Sequence, residues 1–176
     1  MRKSRSIWTT LLSEFLPLMV NGVAQRPIEG VLITDGGRFV GYAFYLLKSR
    51  PVFTWNLLGL ERIKWQDKKA LAPGKHTLEY DWKYDGPGLG KGGTGTLKVD
   101  GKVAESHAMA HSIPISLMWS ETFNVGVDTG TPVDDKDYQV PFRFTGKINK
   151  LTVNLGPEEL SAAEQRKIAK TFRDKQ

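Results

Sequence analysis

The side chains best suited to chemistry lie in one acidic stretch of this 176-residue chain, residues 121–138. Its irregular part holds four carboxylates, at Asp128, Asp134, Asp135 and Asp137. Loops rich in oxygen donors suit calcium, although this spacing does not match the EF-hand loop. Two interpretations stay open: the four aspartates form a weak calcium site, or they belong to a solvated acidic loop, which the pattern favours.

The other candidate groups give no catalytic set. His107 and His111 stand four residues apart in or after a predicted strand, within reach of one metal ion, but no third ligand follows nearby. A structural or exposed histidine pair is therefore favoured. The chain has no cysteine, which excludes thiolate nucleophiles, disulfides, Cys-ligated zinc and iron–sulfur clusters. No serine, histidine and aspartate stand at a spacing typical of nucleophilic catalysis, so we predict no catalytic residue.

Tryptophans raise a third kind of chemistry, the stacking of sugar rings. Four of them lie within the strand-rich part of the chain: Trp55, Trp65, Trp82 and Trp119. On a β-sandwich a tryptophan more often belongs to the core, because its large apolar surface is best buried. We keep Trp55, Trp82 and Trp119 as candidate ligand-stacking residues, with core packing as the favoured alternative.

The charge balance is basic, with 25 Lys and Arg against 19 Asp and Glu, a net charge of +6. Residues 1–75 hold 12 basic and 5 acidic groups, so the surplus lies in the first half of the chain. No run of five Lys or Arg occurs, so the cations look scattered and no nucleic-acid partner is expected. No uncharged apolar run reaches 18 residues, which argues against a membrane span.

The sequence pattern predicts that strands position the candidate residues named above. Residues 75–84 alternate, with Leu78, Tyr80 and Trp82 on one face, and Asp100-Gly101 is a strong hairpin signal. The pattern predicts an all-β, antiparallel β-sandwich or jelly roll. The predicted strands cover residues 29–34, 38–48, 52–57, 60–66, 75–84, 94–99, 102–109, 122–127 and 144–155.

Both ends of the chain differ from this β-rich part. Residues 1–27 begin with a basic segment and an apolar run that Glu14 interrupts. They are either a weak secretory signal or an extra strand or amphipathic segment. A real signal implies a periplasmic or secreted protein, and its absence a cytoplasmic one. In the tail, 157–176, Ser161 and Glu164 form a capping box, which predicts one short helix. The sandwich itself is expected over residues 28–156.

A series of short segments, in consistent order, resembles the C-terminal region of large bacterial arylsulfatases. The resemblance implies a sandwich of the concanavalin/laminin-G type appended to a catalytic domain that hydrolyses sulfuric esters. The segments are 30–33 (GVLI), 35–39 (DGGRF), 51–53 (PVF), 71–77 (LAPGKHT), 84–93 (YDGPGLGKGG), 97–101 (LKVDG), 121–133 (ETFNVGVDTGTPV) and 141–146 (PFRFTG).

The chain departs from that family where the chemistry lies. In the family, a Cys or Ser in a C/S-x-P-x-R motif of the preceding domain becomes formylglycine beside a calcium ion. This chain has no cysteine and no Ser-x-Pro-x-Arg. The resemblance therefore implies a non-catalytic accessory domain with no catalytic residue and no cofactor of its own.

The resemblance also suggests partners. We expect the loop formed by Asp128, Thr129, Gly130, Thr131 and Pro132 to face a sulfatase catalytic domain and to rim its active-site mouth. One alternative is a carbohydrate-binding module for sulfated glycans, with or without calcium. Another is a stand-alone interaction domain that forms homo-oligomers through exposed apolar surface.

Overall fold

The computed structural model of the chain describes residues 18–24, 28–86, 90–112 and 121–154, together with Ala163 and Arg166. Of residues 18–24 only the backbone path is described. Ala163 and Arg166 have helical backbone, and the rest of the helix expected in the tail lies outside the described residues. In the described part of the chain, no helix is long and apolar enough to span a membrane.

The described chain is built from strands, which confirms the predicted all-β class. In chain order they are β1 (Leu18–Ala24), β2 (Gly30–Gly36), β3 (Val40–Leu47), β4 (Arg50–Leu57), β5 (Glu61–Gln66), β6 (Gly74–Tyr84), β7 (Gly93–Val99), β8 (Lys102–Met109), β9 (Asn124–Val125), β10 (Val127–Asp128), β11 (Phe142–Arg143) and β12 (Lys147–Val153).

Two five-stranded antiparallel sheets form the sandwich. The first sheet has the order β12-β1-β6-β7-β8, and the second has the order β5-β4-β3-β2-β9. A short ladder joins β10 and β11. The edge strands β5 and β8 are linked by a side chain, since the Gln66 amide donates to Glu105 Oε2 at 2.5 Å. The two sheets are therefore linked at the edge that β5 and β8 share.

The main core lies between the two sheets, as the alternation of β6 predicts. Leu78, Tyr80 and Trp82 all point inward and are buried. The rings of Phe53 and Tyr80, one from each sheet, stack with centroids 3.5 Å apart. Trp65 packs edge-on against both rings. Large aromatic side chains bury much apolar area per residue, so they dominate the stability of this core.

The strands differ from the prediction at several places, most of all in the following three. The strand expected over residues 122–127 is divided into β9 and β10, because Gly126 has a φ of +75° that interrupts extended backbone. Arg38 and Phe39 lie in the turn before β3 instead of in the strand. In the divergent N-terminal segment, residues 18–24 form β1, which pairs with both β6 and β12.

The turns between the strands lie at two opposite ends of the sandwich, which we call the upper and the lower end. The upper end carries the β2–β3 turn at residues 37–39 and the β4–β5 turn at residues 58–60. The lower end carries the β3–β4 turn at residues 48–49 and the β7–β8 turn at residues 100–101. Consecutive antiparallel strands place alternate turns at opposite ends, so residues far apart in sequence meet at each end.

Candidate functional site

The acidic stretch forms a closed loop over the outer face of the second sheet. Its neck is the ladder in which Val127 pairs with Arg143 and Asp128 with Phe142. Residues 129–141 lie between these two pairs, which is the geometry of a compact surface loop with its own packed side chains. Val133 and Tyr138 are buried there in a second apolar cluster with Val31, Ala43, Tyr45 and Val52.

Asp128 holds the beginning of this loop to its far side. The carboxylate is fully buried, and its Oδ2 accepts from the Tyr138 hydroxyl at 2.8 Å. Its Oδ1 accepts from the Gly130 amide at 3.1 Å. Burial raises the pKa of Asp128, the hydrogen bonds oppose that rise, and the charge of Glu121 adds to it. Asp128 is therefore a buried structural group of the loop.

The other three aspartates surround two cations of β5. Arg62 Nη1 lies 2.6 Å from Asp135 Oδ1 and 3.4 Å from Asp134 Oδ1. Lys64 Nζ lies 2.8 Å from Asp134 Oδ2 and 2.6 Å from Asp137 Oδ2. In residues that the structure describes, no three His, Asp or Glu side chains are arranged to hold a metal ion. These three carboxylates, out of the four proposed for calcium, are engaged with side chains of β5.

Sequence analysis missed Arg62 and Lys64, although a signal was present. Both alternate with Ile63 and Trp65, which pack in the main core. The two cations therefore point to the outer face of the second sheet, where the loop lies. Burial lowers the pKa of Lys64, but its bonds to Asp134 and Asp137 outweigh that effect and raise it.

The predicted rim residues lie at the upper end. Thr129 and Gly130 are exposed, whereas Pro132 is buried. The amide and hydroxyl of Thr131 donate to Glu121 Oε1 at 3.0 and 2.8 Å. Thr131 Oγ1 also accepts from the Arg38 amide at 2.8 Å. The start of the loop is thus fixed against the β2–β3 turn.

Three large apolar side chains are exposed beside these residues, and we call them the apolar tip. They are Phe39, Leu58 and Leu60, with 64%, 45% and 87% of their surfaces exposed. The Leu58 amide donates to the Phe39 carbonyl, so the two turns are joined directly. Turns are usually polar, and exposed apolar side chains on adjoining turns are typical of surfaces that contact a partner.

Asn56 makes the apolar tip rigid. Its side chain is fully buried, and Nδ2 donates to the carbonyls of Gly37 and Arg38 at 3.1 and 2.7 Å. Its Oδ1 accepts from the Gly59 amide at 3.0 Å. One amide side chain therefore binds both turns, which reduces the entropy that each would lose on contact with a partner.

The conformation of Leu58 is unfavourable for a leucine. Leu58 and Gly59 have φ values of +54° and +66°, the geometry of a type I′ turn. The β7–β8 hairpin uses Asp100 and Gly101 in the same conformation, with φ values of +50° and +75°. Asp-Gly suits this turn, whereas a bulky residue at positive φ is an outlier. The structure thus retains an unfavourable backbone conformation at Leu58, as it also does at Lys48 and Ser49 in the β3–β4 turn.

The candidate stacking tryptophans do not form a surface platform. Trp55 and Trp65 are fully buried, and 8% of Trp82 is exposed. All three belong to the main core between the sheets. Trp119 lies outside the described residues. The ring of a buried tryptophan has no free face, so none of these three is available to stack on a sugar.

The two neighbouring histidines take different partners. The His107 ring stacks on Trp65, with centroids 4.4 Å apart and an interplanar angle of 2°. His111 Nε2 lies 2.7 Å from Glu61 Oε2. Each histidine contacts a different residue of β5, so the two rings do not face a shared metal position.

No protein-family model matches this chain, and no curated protein matches its sequence.

Proposed function

We propose that this chain is a non-catalytic accessory β-sandwich, similar to the C-terminal domain of arylsulfatases, whose upper end packs against a sulfatase catalytic domain. The observation that carries the proposal is the apolar tip of Phe39, Leu58 and Leu60. It lies at the same end as Thr131, part of the 128–132 loop that is expected to face the catalytic domain.

The composition of this surface fits a protein interface. Interfaces gain most of their binding energy from a few side chains that are buried near their centre, surrounded by groups that exclude water. The apolar tip supplies the first kind, and Arg38 and Thr129 supply exposed polar neighbours. Burying apolar surface stabilises a complex by about 25 cal/mol per Å², less the entropy lost on association.

The absence of catalysis rests on the sequence. The chain has no C/S-x-P-x-R motif, and its Ser49-Arg50-Pro51 segment lacks the arginine, with Phe53 in its place. Ser49 is buried, and its hydroxyl accepts from the Ile28 amide at 2.9 Å, a structural bond between two elements. We therefore expect no release of 4-nitrophenol from its sulfate ester by the pure chain.

The test is calorimetric titration of the pure chain into an arylsulfatase catalytic domain produced without its own C-terminal domain. Leu60→Asp should weaken binding at least ten-fold, because it places a charge in the buried centre of the interface. Val103→Asp is the matched control, since Val103 is 62% exposed on β8 at the lower end. It should bind like the unmodified chain.

Two results would overturn the proposal: no heat of binding from a folded sample, or equal weakening by Leu60→Asp and Val103→Asp. Thermal melts of both variants establish that they are folded. Sulfate-ester hydrolysis that persists in independently purified samples would contradict the non-catalytic part.

A further inference from the structure

The lower end of the sandwich collects cations that are scattered in the sequence. Seven exposed Lys and Arg side chains come from five separate segments and meet at this end, and we call them the basic end. They are Lys48, Arg50, Lys68, Lys69, Lys75, Lys102 and Lys147. Their segments are brought together by sheet pairing and by turn contacts, each of which is visible in the structure.

In the first sheet, the basic end follows the register of the strands. Lys75 of β6 and Lys147 of β12 both pair with Val23 of β1, so one strand separates them. Neighbouring strands are about 4.8 Å apart, which places their backbones about 10 Å from each other. Lys102 begins β8, two strands beyond β6. Three cations are therefore spaced along the lower edge of this sheet.

In the second sheet, backbone hydrogen bonds join the β3–β4 turn to the connection between β5 and β6. Lys48 lies in the β3–β4 turn, and Arg50 begins β4 directly after it. The Asp67 amide donates to the Pro51 carbonyl, and the Leu71 amide to the Ser49 carbonyl, both within 3.0 Å. Lys68 and Lys69 lie between these two bonds, so they stand beside the turn.

The carboxylates at this end are already engaged. Glu29 Oε1 accepts from the Lys48 amide at 3.1 Å, and Asp67 Oδ1 from the Lys69 amide at 2.8 Å. Asp100 Oδ1 accepts from the Thr77 amide at 2.8 Å. Within the part of the chain described, no ion pair includes any of the seven cations. Among the residues that the structure describes, the seven cations outnumber the carboxylates of this end, Glu29, Asp67, Asp100 and Glu105, by three.

We propose that the basic end binds a sulfated polysaccharide. A surface with several unpaired cations attracts a polyanion by releasing its counterions, and the attraction increases with the number of charges neutralised. Six of the seven cations are lysines, whose compact ammonium groups bind sulfate as point charges without a fixed bidentate geometry. This suits a polymer whose sulfates vary in position. The site is separate from the apolar tip, so it does not depend on the docking proposed above.

Other polyanions fit this surface less well. Single-stranded nucleic acids need aromatic side chains on which bases stack, and the exposed aromatics among the described residues, Phe39 and Phe123, are not at the lower end. Binding in a lipid interface needs a broad apolar face beside the cations. Val103 is the one large apolar side chain exposed near Lys102 in the described part of this end.

The probe is dextran sulfate, with neutral dextran as the matched ligand that lacks only the sulfates. The test variant replaces Lys48, Lys69 and Lys75 by Gln. The control variant replaces Lys83, Lys91 and Lys136 by Gln, which removes the same charge from exposed lysines outside the basic end. Affinities are measured by interferometry between 50 mM and 300 mM salt.

We expect binding to dextran sulfate and none to dextran. The test variant should lose at least ten-fold in affinity, and its slope of log affinity against log salt should fall by about two to three. The control variant should stay within two-fold. Equal loss in both variants would overturn the proposal, since net charge alone would then explain binding. Tighter binding to duplex DNA or to phosphatidylserine vesicles than to dextran sulfate would also overturn it.

Discussion

Lys64 shows how one side chain of β5 secures a distant loop. Its Nζ is 2.8 Å from Asp134 and 2.6 Å from Asp137, and Asp137 also accepts from the Tyr45 hydroxyl. The Asp134 side chain is only 3% exposed. A buried carboxylate keeps its charge at low cost only beside a cation. Removing Lys64 would leave the Asp134 charge poorly compensated, and that cost is the main contribution of the pair to stability.

Lys64→Met should therefore destabilise the fold by about 2 kcal/mol, less than the roughly 3–5 kcal/mol for breaking a fully buried pair, because Lys64 is partly exposed. The measurement is urea unfolding followed by tryptophan fluorescence. Lys98→Met is the matched control, because Lys98 is also 29% exposed and pairs with Asp81, whose side chain is 34% exposed. It should lose less than about 1 kcal/mol. Equal losses would contradict the role given to Lys64.

Leu58 allows the opposite prediction, a gain of stability. Its φ of +54° disfavours leucine, whereas asparagine before glycine suits a type I′ turn. Leu58→Asn should raise the free energy of unfolding by about 1 kcal/mol and weaken docking at the apolar tip. Leu60→Asn, at an 87% exposed position without positive φ, should leave stability nearly unchanged. A less stable Leu58→Asn variant would show that the leucine stabilises the turn.

At the scale of elements, His76 joins three parts of the lower end. Its Nε2 is 2.7 Å from the Ala72 carbonyl, and its Nδ1 is 2.8 Å from Asp100 Oδ2. Both nitrogens face acceptors, so the doubly protonated ring satisfies the most hydrogen bonds. Burial lowers the pKa of His76, but the bonds to Asp100 and Ala72 outweigh it and raise the pKa. Burial also raises the pKa of Asp100, and the Thr77 amide and His76 lower it overall.

The fold should therefore lose stability as pH rises through the folded-state pKa of His76, which lies above its ordinary value near 6.5. The contribution of Asp100 is lost in the other direction, as pH falls below about 4. Because the Asp100 side chain is half exposed, His76→Gln should cost at most about 1 kcal/mol at pH 5.5 and almost nothing at high pH.

Proton NMR gives a direct check on the His76 pair. The His76 ring should titrate above 6.5 in the unmodified chain and closer to that value in Asp100→Asn, which keeps a residue suited to the turn. An unchanged titration in Asp100→Asn would show that the carboxylate does not hold the proton.

Local alternation predicted the elements well where each strand has one wet face. The inward face of β6 at Leu78, Tyr80 and Trp82 follows from period-two spacing alone. The strand expected over residues 122–127 was too long, because the apolar residues around Gly126 carry no sign that its φ is positive. Backbone conformation at a glycine depends on contacts that a local pattern does not contain.

At the scale of the molecule, the apolar tip and the basic end lie at opposite ends of the strands. The eight residues of β4 span about 26 Å at 3.3 Å per residue, and they separate the β4–β5 turn from the β3–β4 turn. Sites so far apart, with no shared partner, usually act independently. The chain thus has one end suited to a protein and another suited to a polyanion.

Combining Leu60→Asp with the three glutamine substitutions at the basic end should therefore give additive effects. The combined variant should lose affinity for the catalytic domain as Leu60→Asp does, and affinity for dextran sulfate as the glutamine variant does. We expect a coupling below about 0.5 kcal/mol in each titration. A larger coupling would mean that the two ends communicate or that one variant is misfolded.

The sequence by itself determined the all-β class, most of the strands, the Asp100-Gly101 turn and the absence of thiol chemistry, because alternation and turn preference are properties of neighbouring residues. Only the tertiary structure decided which charges meet. It paired Arg62 and Lys64 with aspartates about 70 residues away, buried Trp55 and Trp82, and gathered cations from residues 48 to 147 at one end. The physical reason is that strand register and direction set these contacts, and both depend on packing between segments distant in the chain.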